Sequence, residues 1–250
     1  MKLQKLLSYT RRAIDCYEMI DEGDKIAVGI SGGKDSLTLL YVLAELRRFY
    51  PKEFQLIAIT IDLGFEGFDT SKVQTLCDEL HVEYHVVKTE IFDIVFNIRK
   101  EKNPCSLCTK MRKGALNDAI SELGCNKIAY AHHKDDFIDT FLMSLLYEGR
   151  IHTFSPKTYL DRSKLMVIRP LMYVTEGEVV SFKNEMQLPV IKSACPADGN
   201  TKREYANQTL AKLEQETPNC KNRIFAAIER GNIPGWPEKI EHPRMNSKAK

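Results

Sequence analysis

The stretch from Lys25 to Leu37 constrains this chain more than any other. A short apolar run, Lys25-Ile26-Ala27-Val28-Gly29-Ile30, passes through Ser31-Gly32-Gly33-Lys34-Asp35-Ser36 into a helical pattern beginning at Leu37. Strand, glycine turn and helix in immediate succession make a cradle for an anion: the glycines let the backbone approach closely, and the helix start offers free N–H groups and the positive dipole end. Lys34 adds a full charge. The phosphate loop of kinases and GTPases does not fit, because counted from Gly29 its second glycine falls on Lys34. A plain Ser-Gly-Gly turn is the ordinary alternative, and Lys-Asp-Ser directly behind it favours a phosphate loop of another kind.

The rest of the chain supplies the sheet that such a loop requires. After an amphipathic helix predicted from Leu3 to about Ile20, apolar runs at Ile26–Ile30, Phe54–Ile61, Tyr84–Val87 and Lys127–Ala131 alternate with helical patterns at Leu37–Phe49, Thr70–Leu80 and Met111–Leu123. That alternation predicts an α/β fold, a doubly wound parallel sheet with ligands beyond the carboxyl ends of its strands. The phosphate loop, Asp62, and His132 to Asp136 all fall at such ends. A further apolar run at Met166–Leu171 precedes helical patterns near Glu176–Met186 and Lys202–Glu216 and a Pro/Gly-rich close at 233–237. The expected organisation is an N-terminal helix over 1–24, a phosphate-loop domain over 25–192, and a C-terminal helical extension over 193–250 that carries Cys195. At 250 residues and 43% hydrophobic content the chain can bury a sizeable core.

Cysteine placement narrows the chemistry. Asn103-Pro104-Cys105-Ser106-Leu107-Cys108 opens a helical stretch, so both sulfurs lie near a helix N-terminus, where thiolate is favoured. A structural zinc site would need a second close pair, and Cys125, Cys195 and Cys220 stand alone. A thioredoxin-like dithiol would follow a strand, whereas 97–102 is charged. What fits is Cys105 and Cys108 joined by one distant thiol, with Cys195 the best candidate in the turn Ala194-Cys195-Pro196-Ala197-Asp198-Gly199. Cys16, Cys77, Cys125 and Cys220 read as ordinary thiols.

The hexapeptide SGGKDS resembles the signature loop of the PP-loop ATP pyrophosphatases at every position. That resemblance implies a Rossmann-like, adenine nucleotide alpha-hydrolase-like domain that cleaves ATP to AMP and pyrophosphate. With Cys105-Ser106-Leu107-Cys108 and Arg112-Lys113-Gly114, His132-His133-Lys134-Asp135-Asp136, Ser155-Pro156-Lys157, and Val167-Ile168-Arg169-Pro170-Leu171, most of the chain is similar to the tRNA-cytidine 2-sulfurtransferases. Cys195 stands single where some members carry a cysteine pair. The resemblance implies a [4Fe–4S] cluster on Cys105, Cys108 and Cys195, ATP with Mg2+ on Ser31 to Ser36, and an anticodon-loop cytidine, at position 32, as substrate. The cytidine O2 would attack the α-phosphate, and sulfur carried by the cluster would then displace AMP at C2. A persulfide on one of the three thiols is the variant of that scheme.

Several residues carry two readings. Asp135 and Asp136 open a helix whose expected inner face is Ile138, Phe141, Leu142, Leu145 and Leu146; they suit N-capping, and equally suit magnesium opposite a phosphate loop, the resemblance favouring Asp136. His132 and His133 read as substrate contacts or as packed strand-end residues. Among the basic residues Lys110, Lys113, Lys157, Arg162, Lys164 and Arg169, surface solvation is the ordinary role; Arg112 or Lys113 is singled out beside the thiols, where a fixed cation could stabilise developing charge. Lys34, Asp136 and Arg112 are therefore the expected catalytic groups.

Net charge is only +2, so RNA affinity must come from local patches. Seven cysteines with no signal-peptide core and no membrane-length apolar stretch predict a reduced, cytoplasmic setting without a membrane partner. The expected partners are tRNA and a sulfur donor, a cysteine desulfurase or sulfide, with a second copy of the chain as a further candidate. Two rival functions share the loop: a lysidine-synthetase-like ligase, which has no use for the three thiols, and a non-catalytic ATP and iron–sulfur RNA-binding module.

Overall fold

Runs of Ile, Val and Ala form the strands, because branched side chains fit a pleat buried on both faces. The computed structural model describes residues 3–99, 104–191 and 202–240. Its elements in chain order are α1 (Leu3–Cys16), β1 (Asp24–Gly29), α2 (Lys34–Arg47), β2 (Phe54–Asp62), α3 (Ser71–Glu79), β3 (Glu83–Lys88), α4 (Pro104–Glu122), β4 (Lys127–Ala129), α5 (Lys134–Met143), β5 (Lys157–Leu160), β6 (Leu165–Ile168), α6 (Glu176–Glu185), α7 (Lys202–Glu216) and α8 (Cys220–Arg230). The strands lie in the order β3-β2-β1-β4-β6-β5. β1 pairs in parallel with β2, Ile26 opposite Leu56, and on its other edge with β4, Ile26 opposite Lys127. The chain therefore winds outward from β1 through β2 to β3 and returns to the far side of β1, which makes the gap between the carboxyl ends of β1 and β4 the switch point where a ligand fits.

The two faces of the sheet carry separate apolar clusters. Ile26, Val28, Leu56, Ala58, Ala129 and Ile168 pack against α1, α2, α5 and α6, and Leu210 of α7 and Phe225 of α8 join the same cluster. Ala27, Ile57, Ile59, Ile128 and Val167 face Leu116, Ala119 and Ile120 of α4, with Leu107, Cys108 and Met111 at its edge. Because β4 begins shortly after α4 ends, α4 runs from the carboxyl edge of the sheet to its amino edge. The cysteine end of α4 is thus the end nearer the switch point.

Four details depart from the sequence reading. α1 ends at Cys16, short of Ile20: Glu18 takes the left-handed conformation (φ 45°) and the Met19 N–H reaches back to the Ile14 carbonyl at 3.0 Å, so buried Tyr17, Met19 and Ile20 continue the core through a helix stop. The sheet is parallel over five strands, but β5 pairs antiparallel with β6 at one edge, so Lys157 begins a strand. Helical pattern also continues past 217: Pro218 and Asn219 (φ 70°) punctuate it, and α8 follows, burying Phe225 and Ile228. On α5, the buried face is Phe137, Ile138 and Asp139, whereas Leu145 and Leu146 are exposed. A π-helical turn at Ser144–Glu148 follows α5, and the wider turn rotates the later leucines off the face that a regular helix would give them.

Candidate functional site

The phosphate loop is closed by its own serines. α2 begins at Lys34, three residues ahead of the expected start, so Lys34, Asp35 and Ser36 form its first turn. The Ser31 N–H donates to Ser36 Oγ at 3.3 Å, Ser36 Oγ donates to the Gly33 carbonyl at 3.0 Å, and the Gly33 N–H donates to Ser31 Oγ at 3.3 Å. Gly32 has φ +80°, and a Cβ there would meet Ile191 Cβ at 2.9 Å, so glycine is required both by conformation and by space. The Ile191 N–H donates to the Gly32 carbonyl at 2.9 Å, pinning the segment after α6 across the loop. Lys34 Nζ lies 3.1 Å from Asp35 Oδ2 and 3.1 Å from Glu176 Oε1. Burial works against its charge, but Asp35 and Glu176 outweigh burial and hold the ammonium above the usual lysine range.

Opposite the loop, the His-His-Lys-Asp-Asp segment starts α5. The His133 N–H donates to Asp136 Oδ2 at 2.9 Å, the capping reading of that aspartate. Asp136 Oδ1 also accepts from Arg203 of α7 at 2.7 Å. Asp135 accepts from the Glu176 N–H at the start of α6 (2.8 Å) and from Lys221 of α8 (3.0 Å). Burial opposes its ionisation, yet those two donors hold the carboxyl below the ordinary range. His133 is buried, with Nε2 3.8 Å from Asp35 Oδ1, so the two halves of the crevice meet there. Asp35 Oδ1 is itself buried without a hydrogen-bond partner. Beside this network α5, α7, α8 and the start of α6 line an open cavity of about 430 Å³, with Asp135, Thr175, Glu214 and Lys221 in its wall and no residue of the phosphate loop.

The two histidines separate. His132 stacks on Phe154 (centroids 4.2 Å apart) and accepts from Arg169 Nε at Nδ1, 3.2 Å away. Burial, followed by the charges of Arg169, Arg203 and His133, pushes it down to about 3, so the ring is neutral. Arg169 follows β6 directly and donates from Nη1 to the Ser155 carbonyl at 2.6 Å.

Cys105 is exposed and Cys108 half-buried in the first turns of α4. At a spacing of i and i+3 they share one helix face, a geometry that fits two ligands of one metal group. Cys195 lies outside the described residues, and among those described no three His, Cys, Asp or Glu side chains stand together as a metal site. Arg112 is exposed on α4, and its charge, with that of Arg169, bears on the hydroxyl of half-buried Tyr130, which burial raises above the usual range. The sequence reading missed Glu176, Arg203 and Lys221 as partners of the crevice. Thr175 with Glu178 forms a legible capping box that places Glu176 at a helix start; Arg203 and Lys221 sit in ordinary helical patterns, and only the fold brings them to Asp136 and Asp135.

The PP-loop domain family matches residues 5–213. The tRNA-cytidine(32) 2-sulfurtransferase of Geobacter sulfurreducens is 36% identical over 239 residues, 93% of this chain and 91% of its own length. That of Pelobacter propionicus is 40% identical over 220 residues, 87% of this chain and 82% of its own. This chain belongs to that PP-loop family. Among solved structures, the U34-tRNA thiolase NcsA of Methanococcus maripaludis, determined with its [4Fe–4S] cluster, superimposes with a TM-score of 0.72 at 27% identity, covering 91% of this chain and 78% of NcsA. An NH3-dependent NAD synthetase from Campylobacter jejuni, at 14% identity and TM-score 0.50, shares the fold alone. The family matches span α1 to α7, so the loop, the α4 thiols and the α5 aspartates all lie inside the matched region. Among the described residues no helix is long and apolar enough to cross a membrane.

Proposed function

We propose that this protein thiolates a tRNA cytidine at C2, at position 32 of the anticodon loop, using ATP and releasing AMP and pyrophosphate. The observation that carries the reading is a phosphate loop at the β1–β4 switch point together with paired thiols at the same edge of the sheet, in a chain 36% and 40% identical to two sulfurtransferases of that specificity.

The β- and γ-phosphates fit the backbone N–H groups at the start of α2. Lys34 then exchanges one of its carboxylate partners, Asp35 or Glu176, for a phosphoryl oxygen. Magnesium fits the acid side of the loop: Asp35 presents a buried oxygen with no partner, whereas Asp136 and Asp135 would hold the ion by giving up Arg203 or Lys221. With pyrophosphate held there, the cytidine O2 forms its bond to the α-phosphorus as the bond to pyrophosphate breaks. Sulfur then adds at C2, the C2–O bond breaks, and AMP leaves. A [4Fe–4S] cluster held by Cys105, Cys108 and Cys195 would supply that sulfur at the sulfide level, drawn from sulfide or from a cysteine desulfurase persulfide that a thiol reductant reduces to sulfide. Arg112, exposed on the thiol helix, is the cation assigned to charge on the departing adenylate. A tRNA substrate assigns the protein to the cytoplasm.

The test is mass spectrometry of tRNA nucleosides from cells with and without the protein. Loss of 2-thiocytidine on deletion supports the reading; unchanged 2-thiocytidine with loss of another modified nucleoside overturns it.

A further inference from the structure

A buried charge without a counter-charge costs free energy, and folded proteins pair such cations with carboxylates or keep them for ligands. Among the described residues half-buried Arg169 has no carboxylate partner. Its guanidinium packs over the Phe154 ring at 5.1 Å, donates to the Ser155 carbonyl and donates to Nδ1 of His132. Each of those partners is neutral. Burial pushes Arg169 down to about 10, and the group that opposes this is the Tyr130 phenol, with no acid contributing. Among the described residues none of the ion pairs involves Arg169, although the same edge of the sheet holds Asp35, Asp135, Asp136 and Glu176.

The position is as informative as the missing partner. Ile168 pairs with Ala129, so Arg169 leaves the carboxyl end of β6 beside Tyr130, one strand from the switch point. His132, which accepts from its Nε, adjoins His133, and His133 reaches Asp35 of the phosphate loop. Arg112 from the thiol helix bears on the same Tyr130 hydroxyl as Arg169. Two cations, one from α4 and one from β6, thus flank a site that already faces the nucleotide loop. Because His132 is held neutral with Nδ1 as acceptor, it fixes one edge of the guanidinium fork without cancelling its charge.

We propose that Arg169 is a phosphoryl-binding residue, with His132 and Ser155 positioning it to take a phosphate oxygen of the bound nucleotide or of the RNA backbone. A planar guanidinium fork suits a phosphoryl group, and charge-assisted bonds of this kind are strong where water is excluded. The inference rests on the reading of the crevice as an ATP and tRNA site.

The test measures binding of two probes, AMP and an anticodon stem-loop RNA with a cytidine at position 32, to the wild type, Arg169→Met and Arg169→Lys. Arg169→Met should weaken one of the probes by about tenfold or more, and which one weakens identifies the source of the phosphate. Arg169→Lys, which keeps the charge but not the fork, should fall between the two. Thermal midpoints give the readout that a structural role would not share: Arg169→Met should melt no lower than wild type, because an uncompensated charge has been removed, and the affected probe should raise its midpoint less. Wild-type affinity of Arg169→Met for both probes overturns the inference, as does a lowered midpoint with affinities unchanged. If Arg169→Met does not fold, Arg169→Lys binding both probes as wild type does overturns it. A wild type that binds neither probe overturns instead the reading on which it rests.

Discussion

The two ends of the β1–β4 seam treat buried charge in opposite ways. At the amino edge Lys127 is buried and fully compensated: Nζ lies 2.7 Å from Asp24 Oδ2 and 2.8 Å from Asp21 Oδ2, and donates to the Met19 carbonyl at 3.1 Å. Asn126 completes the knot by donating to Asp24 Oδ1 at 2.7 Å while accepting from the Lys25 N–H. At the carboxyl edge, among the described residues, half-buried Arg169 has neutral partners only, Asp35 Oδ1 is buried with none, and Lys34 is shared between two half-exposed acids. The same strands therefore end in a closed network that fixes their register and in an open one that phosphate can complete. Among the described residues, unmet electrostatic demand lies at the carboxyl end of this sheet, the end proposed to bind phosphate.

Breaking the open end should abolish chemistry and spare the fold. Cys105→Ser and Cys108→Ser, at exposed or half-buried positions, are expected to eliminate thiolated product with ATP affinity retained, as read by nucleoside analysis beside calorimetric titration. Breaking the closed end should do the reverse. Lys127→Met leaves Asp24 buried without its cation and is expected to cost about 3 to 5 kcal/mol in denaturant unfolding, with turnover per folded molecule unchanged. Lys34→Ala should slow turnover about a hundredfold, close to 3 kcal/mol of transition-state stabilisation, while the unfolding midpoint hardly moves.

The smallest effect sharpens the comparison on the helical side. Asp139 of α5 is buried beneath α7, where the Asn207 amide, with its NH2 toward the carboxyl group, donates to both oxygens at 2.7 Å. Burial raises Asp139 to about 7, with Arg203 pulling the other way. The folded state thus holds a proton that the unfolded chain releases near pH 4, so Asp139 makes stability fall as pH rises from about 4 to about 7. Asp139→Asn should remove that slope and raise stability by about 1 to 2 kcal/mol at pH 8, measured by unfolding across that range. A variant with the wild-type slope would show that Asp139 titrates normally and that the α5–α7 contact carries no buried charge penalty.

Sequence made the centre of the molecule legible and its rim much less so. β1, β2 and α7 follow from uninterrupted apolar runs and helical periodicity, and the loop from Gly32, whose positive φ and contact with Ile191 only glycine meets. β5 escaped because Lys157-Thr158-Tyr159-Leu160 is a half-exposed edge strand whose pairing with β6 depends on a partner outside any local window. The face of α5 was misread because a π-helical turn shifts the period that the leucines seem to follow. In the site, the loop and the α4 thiols announce themselves through local spacing, whereas Arg203, Lys221 and Glu176 reach the crevice from segments 41 to 86 residues away along the chain. No local pattern encodes that meeting. Cys195 lies outside the described residues, so its place beside Cys105 and Cys108 rests on the sequence alone.

One crevice is proposed to couple ATP cleavage at the α-phosphate to sulfur insertion in tRNA. An anaerobic reaction of the full chain with unmodified tRNA, ATP, magnesium and sulfide tests it most directly, with nucleotides resolved by chromatography and the RNA digested for mass spectrometry. AMP and pyrophosphate should form in step with 2-thiocytidine, one for one. Release of ADP and phosphate, or AMP formed with no sulfur entering the RNA, would contradict it.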